Sequence, residues 1–391
     1  MRDTVVMLRS WKPLVVGGTY SASTAKGLGG TDFQLLLHSA ELKDLGYKVT
    51  VLGVTSETVE ECGVTFQGSR SAEETLNWLR SAQDRIVAIF INPRRWIERL
   101  KDVAPGTVVV QVCQNGPFLE LAKHIDIFAM VSTGQMALYC VREPRHRGKF
   151  MLLPNAVAWD SVYGGLDDIA QRNQIVWVGA YEKQGLRRWG KAMSRVMQTR
   201  TELVWKLFAP CYSITDRSQR PAALAGLSLQ WDRMELGNLP IDKLAVEIAS
   251  SKMLLASLGG EDGGITYLDG HAAGVPVLSG DDIMAKYWNP EGTGLRCTTW
   301  QECQRAIEFV LDNPAAAATM GANGRSWVKE SFSEGYQAEC LRQIMSVVNM
   351  EARWRRPEKV TAQSDRKFSL KYRLERLEIK LANRLARRRQ G

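Results

Sequence analysis

The chain has 391 residues, 45% of them hydrophobic and 24% charged, with a formal net charge of +9 at pH 7. That length exceeds one ordinary core and implies two domains with additions, and the composition is soluble and globular, not fibrous or disordered. The charge is localised: residues 353–391 hold 14 Lys/Arg against 4 Asp/Glu, leaving a near-neutral 37 against 38 elsewhere, which counts against nucleic-acid binding by the body.

No apolar run approaches the ~18 residues that would cross a bilayer. The opening MRDTVVMLRSWK carries charge on both sides of a short apolar stretch and does not read as a signal peptide. Seven scattered cysteines without a CxxC pair point to reduced thiols, not to a disulfide framework or a zinc site. The expectation is a cytoplasmic protein without a metal or other cofactor.

In chain order, short β-rich runs alternate with helical stretches. The spacing predicts strands at Leu14–Val16, Lys48–Leu52, Val64–Phe66, Ile86–Ile91, Thr107–Val112, Ile127–Val131 and Phe150–Leu153. Helices are predicted at Asp32–Leu45 and Ala72–Ala82. This alternation implies a parallel sheet covered on both faces. PNAVAWDS, at 154–161, breaks the pattern as a linker. A second series follows, with strands at Ile175–Val178, Glu202–Phe208, Ser228–Glu235, Met253–Ala256 and Val275–Leu278. Its helices are expected at Gly185–Met197, Ile241–Ser250, Thr266–Ala273 and Trp300–Leu311. The expected organisation is two Rossmann-like doubly wound domains, 1–157 and 158–335, facing across a cleft. A helix at Tyr336–Val348, within a crossover segment 336–352, returns toward the first domain, and 353–391 forms a basic hinge and tail. Ligands in such sheets bind outside the carboxyl ends of the strands.

The most informative segment is SLGGEDGGITYLDGHAAGVPVLSG, Ser257 to Gly280. It leaves a strand, turns through four glycines, opens a helix at about Ile265 and returns to a strand. Such a turn offers backbone N–H groups and the positive end of a helix dipole to an anion, and Gly263 and Gly264 allow close approach. Glu261 and Asp269 lie eight apart, one before the helix and one a little over a turn inside it, so both can face one cleft. A carboxylate on each side of a phosphate site suits a nucleotide-sugar.

This segment resembles the EGFGxxxxEAxAxGxPV signature of the retaining glycosyltransferases of family 4 (glycosyl transferases group 1), which have the GT-B fold. Glu261, Gly264 and Asp269 fall on its first Glu, second Gly and second Glu, and Ala272, Gly274, Pro276 and Val277 on AxGxPV. Three further segments agree. GLGGTDFQLLLHSAELKDLGYKVTVLG, at 27–53, is similar to the family's N-terminal glycine loop and helix. LLPNAV, at 152–157, resembles IPNGV at the domain junction, and IVWVGAYEKQG, at 175–185, resembles the strand and loop opening the second domain. The resemblance implies that Glu261 contacts the donor sugar near the reacting carbon and that Asp269 binds the ribose. It places the diphosphate at Gly263, Gly264, Ile265 and Thr266, with Gly29 and Gly30 approaching from the first domain. It also implies a hexose moved from a nucleotide-diphosphate donor to a glycan, lipid-linked or envelope acceptor, with retention and without a metal.

The chain departs from the family at several places. Where an Arg and a Lys grip the diphosphate, it has Ala180 and Gln184, with Lys183 displaced by one. No DxD motif offers a metal instead, so Lys183, Arg187 or Arg188 is expected to supply the cation, against the alternative that the arginines form a solvated helix face. On the acceptor side Gln114 and Asn115 stand where a His is common. His271 and His38 are expected to pack, as are Trp96, Trp288 and Trp300 unless they stack on sugar.

From Ser369 to Arg389, Leu370, Leu374, Leu377, Leu381 and Leu385 recur on one helical face among Lys and Arg. This basic amphipathic helix fits an anionic membrane surface, at the inner face of the membrane, or a coiled coil pairing tails in a homo-oligomer. Two other functions stay open: a degenerate binding or scaffold protein, for which Ala180 and Gln184 speak, and a nucleic-acid-binding protein acting through the tail.

Overall fold

A computed structural model describes residues 3–8, 30–53, 57–69, 71–92, 94–166, 169–179, 185–209, 221–237, 239–259 and 263–354. The chain divides into two compact units, Met1–Val348 and Asn349–Gly391, and both sheets belong to the first.

The first sheet contains β1 (Thr4–Leu8), β2 (Lys48–Leu52), β3 (Val59–Glu61), β4 (Val64–Gln67), β5 (Ile86–Ile91), β6 (Val108–Val112), β7 (Ile127–Met130) and β8 (Phe150–Leu152). Their order is β3-β4-β2-β1-β5-β6-β7-β8. All neighbours run parallel except the edge pair β3–β4. Helices α1 (Gly30–Asp44), α2 (Ala72–Ala82), α3 (Ile97–Val103) and α4 (Thr133–Arg142) connect the strands. Continuous apolar runs such as IVAIFI in β5, buried at every position, are what a strand covered on both faces requires. Serines at 71 and 132 accept from Glu74 N and Gln135 N and start α2 and α4.

The second sheet contains β9 (Gln174–Val178), β10 (Val204–Phe208), β11 (Met234–Gly237), β12 (Leu254–Leu255), β13 (Val277–Ser279) and β14 (Gly294–Arg296). It is wholly parallel in the order β11-β10-β9-β12-β13-β14. Its helices are α5 (Leu186–Thr199), α6 (Ile241–Ala249), α7 (Ile265–Ala272), α8 (Ile283–Trp288), α9 (Trp300–Asp312) and α10 (Pro314–Ser331). The last helix, α11, runs from Glu334 to Trp354. Trp177, Trp189 and Trp205 are fully buried around this sheet. The Trp189 indole donates to the Ala256 carbonyl at 2.8 Å, which satisfies its polar end.

The doubly wound α/β architecture is as expected, with corrections in detail. The first strand is TVVML at 4–8, which pairs with both β2 and β5. Its apolar run is therefore core, and Leu14–Val16 lies outside the described residues. Most of the strand expected over Ser228–Glu235 is irregular; a 3-10 turn at Trp231–Arg233 precedes β11. There the Arg233 guanidinium binds the carbonyls of Arg200 and Met197, as well as Gln230, and fixes the segment by its side chain. α11 outlasts its expected end at Val348 and crosses the start of the supposed hinge at 353. β3, α3, α4, α8, β14 and α10 are not among the elements named from the sequence. The basic helix expected over 369–389 lies outside the described residues.

Pro154–Val157 is pinned from two sides. Gln34 of α1 bonds both ways with Ala156, its Nε2 donating to the carbonyl at 2.7 Å and its Oε1 accepting from the amide at 2.9 Å. Gln337 of α11 donates to the Pro154 carbonyl at 2.7 Å and contacts His38 Nε2 at 3.1 Å. His38 is therefore a buried structural histidine, and burial holds its pKa down at about 4.

Candidate functional site

Chain order reverses direction between β9 and β12 in the second sheet: the strands step outward from β9 to β10 and β11, then cross to β12. Loops that leave the carboxyl ends of strands at such a point form a crevice. The chain leaves β9 there at Gly179 on its way to α5 and leaves β12 at Ala256 on its way to α7; residues 180–184 and 260–262 lie outside the described residues. The glycine-rich turn singled out in the sequence therefore sits where the topology places a ligand. The corresponding point of the first sheet lies between β1 and β5. A small cavity of about 20 Å³ lies there, lined among others by Leu8, Gln34, His38, Ile91, Asn92 and Gln114.

α7 begins where expected. Gly264 is its N-cap in the left-handed region, φ 61°, and no side chain caps the helix. A Cβ at 264 would run into the Trp288 ring, so this position needs glycine both for its backbone and for the close approach of the indole. Trp288 itself is fully buried, as is Trp96, and neither presents a surface for sugar stacking. Ile265 and Thr266 form the first turn, with Thr266 buried.

Asp269 lies in the second turn. Its Oδ1 accepts a hydrogen bond from the Tyr163 hydroxyl at 2.7 Å. Burial raises its carboxyl to about 6, while the Tyr163 bond pulls the other way. Tyr163 closes a single π turn, Trp159–Tyr163, at the end of the linker. His271, two residues on, is fully buried, and its Nε2 lies 3.0 Å from the Trp288 carbonyl. That bond makes Nε2 the protonated nitrogen, and burial keeps the ring's pKa near 4. It fixes α7 against the end of α8 and is structural, as expected.

Gly263 is joined directly to the first sheet's side of the molecule. Asn155, completely buried, donates through Nδ2 to the Gly263 carbonyl at 2.6 Å. The Asn155 and Gln114 amides also bond to each other at 2.6 and 3.2 Å. Gln114 is thus buried between the glycine turn and the linker, whereas neighbouring Asn115 is exposed. A second bridge lies alongside, between the hydroxyls of Thr133 in α4 and Tyr287 in α8, 2.8 Å apart.

Of the remaining site candidates, Gly30 is the first residue of α1. Arg187 is exposed at the start of α5, and its Nη1 donates to the Ala223 and Ala225 carbonyls at 3.2 and 3.1 Å. Arg188 similarly donates to the Thr298 carbonyl at 3.1 Å. Glu261, Lys183 and Gly29 lie outside the described residues. Asn155 and Tyr163 were not foreseen as site residues. The junction motif PNAV contained a signal for the first. Nothing in the sequence marked the second, because its partner is 106 positions away.

No family model matches the sequence, and no curated protein matches it in sequence. Solved structures do match in fold. Sucrose-phosphate synthase from Thermosynechococcus elongatus superposes with a TM-score of 0.66 at 17% identity, over 89% of this chain and 100% of that one. The Anabaena protein HepE, in complex with UDP-glucose, gives 0.65 at 14% identity, over 88% and 99%. A UDP-N-acetylglucosamine 2-epimerase-like structure from Listeria monocytogenes gives 0.55 at 13% identity, over 87% and 94%. At these identities the likeness establishes the fold, two Rossmann-like domains of GT-B type.

Proposed function

We propose that the chain is a glycosyltransferase that moves a hexose-type sugar from a nucleotide-diphosphate donor to a glycan, lipid-linked or envelope acceptor, with retention of configuration. The observation that carries this reading is the placement of Gly263, Gly264 and Asp269. A glycine turn opens onto an uncapped helix start at the switch point of the second sheet, with a carboxylate one turn inside. Backbone N–H groups at Gly263–Thr266 would hold the diphosphate, aided by the helix dipole. Asp269 would accept from the ribose. Glu261 would orient the sugar and stabilise the positive charge developing at its reacting carbon. Lys183 and Arg187, with Gly29 and Gly30 across the cleft, would complete the phosphate side. The acceptor would enter over the first sheet's cavity beside Gln114 and Asn115. The leaving phosphate would then take the acceptor proton on the face it departs from.

The domains would run 1–157 and 158–335, hinged at the pinned linker, with the enzyme in the cytoplasm and its basic tail at an anionic membrane face. The HepE structure with UDP-glucose supports a nucleotide-sugar donor by analogy of fold. A catalytically degenerate scaffold is the second reading. It is favoured by Ala180 and Gln184 and by the engagement of Arg187 with two carbonyls. Thermal unfolding with UDP-, GDP-, ADP- and CMP-sugars tests donor binding: a donor at 100 times its Kd adds about 2.7 kcal/mol to stability and raises Tm. A flat response to every one would contradict it.

A further inference from the structure

The Asp269 carboxylate is only half available to a ligand, because Oδ1 is engaged by Tyr163 at 2.7 Å. Oδ2 has no hydrogen-bond partner among the described residues. We propose that Tyr163 is a positioning residue that fixes the Asp269 carboxylate in one orientation, presenting Oδ2 alone to a single ribose hydroxyl of the donor nucleotide. This inference rests on the donor reading of α7.

Tyr163 is itself held rigidly. It is 1% exposed, and its carbonyl accepts from Arg325 Nη2 at 3.1 Å while Arg325 Nη1 donates to the Ala272 carbonyl at 2.7 Å. One guanidinium from α10 therefore ties the π turn to the end of α7, with its carbon 4.8 Å from the Trp159 ring centroid. The phenol is buried and can only donate usefully: burial and the Asp269 charge raise its pKa well above the ordinary tyrosine value. The elements packed around Asp269 hold few other ionisable groups that bear on it. His271 faces the Trp288 carbonyl, Glu247 of α6 is paired with Lys206 at 2.9 Å, and Asp160 and Lys329 are exposed. Tyr163 is thus the described group that bonds the carboxylate and resists its protonation. A carboxylate that accepts a ligand hydroxyl must compete with its own protonation, so loss of the phenol would affect both geometry and charge.

The test uses the full chain and whichever of UDP, GDP and ADP binds it most tightly, together with the 2′-deoxy and 3′-deoxy forms. Affinities are measured by calorimetry from pH 5 to pH 8.5. Tyr163→Phe should weaken the ribonucleotide about five- to ten-fold near pH 6.5, the scale of one ordinary hydrogen bond, and move the midpoint of its pH profile upward. Tyr163→Phe should leave unchanged the affinity of the deoxy form that lacks the contacted hydroxyl. Asp269→Asn should lose the same discrimination and abolish the pH midpoint, which keeps the test decisive if the Phe variant is poorly folded. An equal loss for ribo and deoxy forms with an unmoved midpoint would make Tyr163 merely structural and overturn the inference alone. Asp269→Asn without effect on any nucleotide, or no binding by wild type, would overturn the ribose reading and the inference with it.

Discussion

Asn155 donates a 2.6 Å hydrogen bond to the carbonyl of Gly263, so the linker between the two sheets holds the glycine turn of the second. Gln114 joins the same amide, which makes one buried clasp from the end of β6, the linker and the start of α7.

Replacing Asn155 with Ala leaves the Gln114 amide and the Gly263 carbonyl without these partners. Stranding a buried amide and a half-buried carbonyl in this way should cost about 2–4 kcal/mol, measured by urea unfolding. Donor affinity should fall as well, because the turn loses its anchor. Gln114→Ala should cost less, since Asn155 still reaches Gly263. A loss below ~0.5 kcal/mol in Asn155→Ala would mean that water replaces the clasp freely.

Acid should destabilise the protein through His38 and His271. Both have pKa values lowered by burial from 6.5 to about 4. Between those values the unfolded chain binds protons that the folded one refuses, so stability falls as pH falls. Asp269 has the opposite sign. Its pKa is raised from 3.8 to about 6, so stability falls as pH rises through that window. Asp269→Asn removes the opposing contribution. Its unfolding free energy should therefore drop more steeply than wild type between pH 6 and pH 4.5, by up to about 1.4 kcal/mol per pH unit. A shallower slope in the variant would contradict the assigned shift.

Much of this fold was legible because both sheets are built from apolar runs bounded by glycine and polar turns. Lys48–Leu52 and Ile86–Ile91 match their expected limits. β1 escapes the pattern because its five apolar residues, framed by charges, are too few and too uniform to show a strand alternation. α10 was missed because its face against α7 is made of small residues, such as Gly321 and Gly324, not of a leucine stripe. At the site, the glycine turn and Asp269 could be read from local spacing. The clasp and the Tyr163 contact depend on residues more than a hundred positions apart, which local periodicity does not encode.

Lys183 and Arg187, proposed as the cations of the phosphate site, can be tested separately. Changing Lys183 and Arg187 together to Ala should weaken nucleoside diphosphate binding much more than nucleoside binding. Arg187 must first leave the Ala223 and Ala225 carbonyls, so Arg187→Ala alone should have the smaller effect. Equal losses for both ligands would place the phosphates elsewhere, and no loss for either would favour the scaffold.

The basic tail is tested by vesicle co-sedimentation of the full chain against a truncation ending at Glu351, with sizing of both. Binding to anionic vesicles should disappear on truncation, while neutral vesicles should bind neither form. Unchanged vesicle binding with a smaller oligomer would assign the tail to a coiled coil instead.

The most direct measurement is nucleotide release from the panel of UDP-, GDP-, ADP- and CMP-sugars by wild type and by Glu261→Gln. A transferase with Glu261 at the reacting carbon should release nucleotide from at least one donor. The Gln variant, folded and still binding that donor, should be at least ~100-fold slower, the scale of a group acting on transition-state charge. Release by neither protein from any donor, or equal rates from both, would contradict a glycosyltransferase that works through this residue.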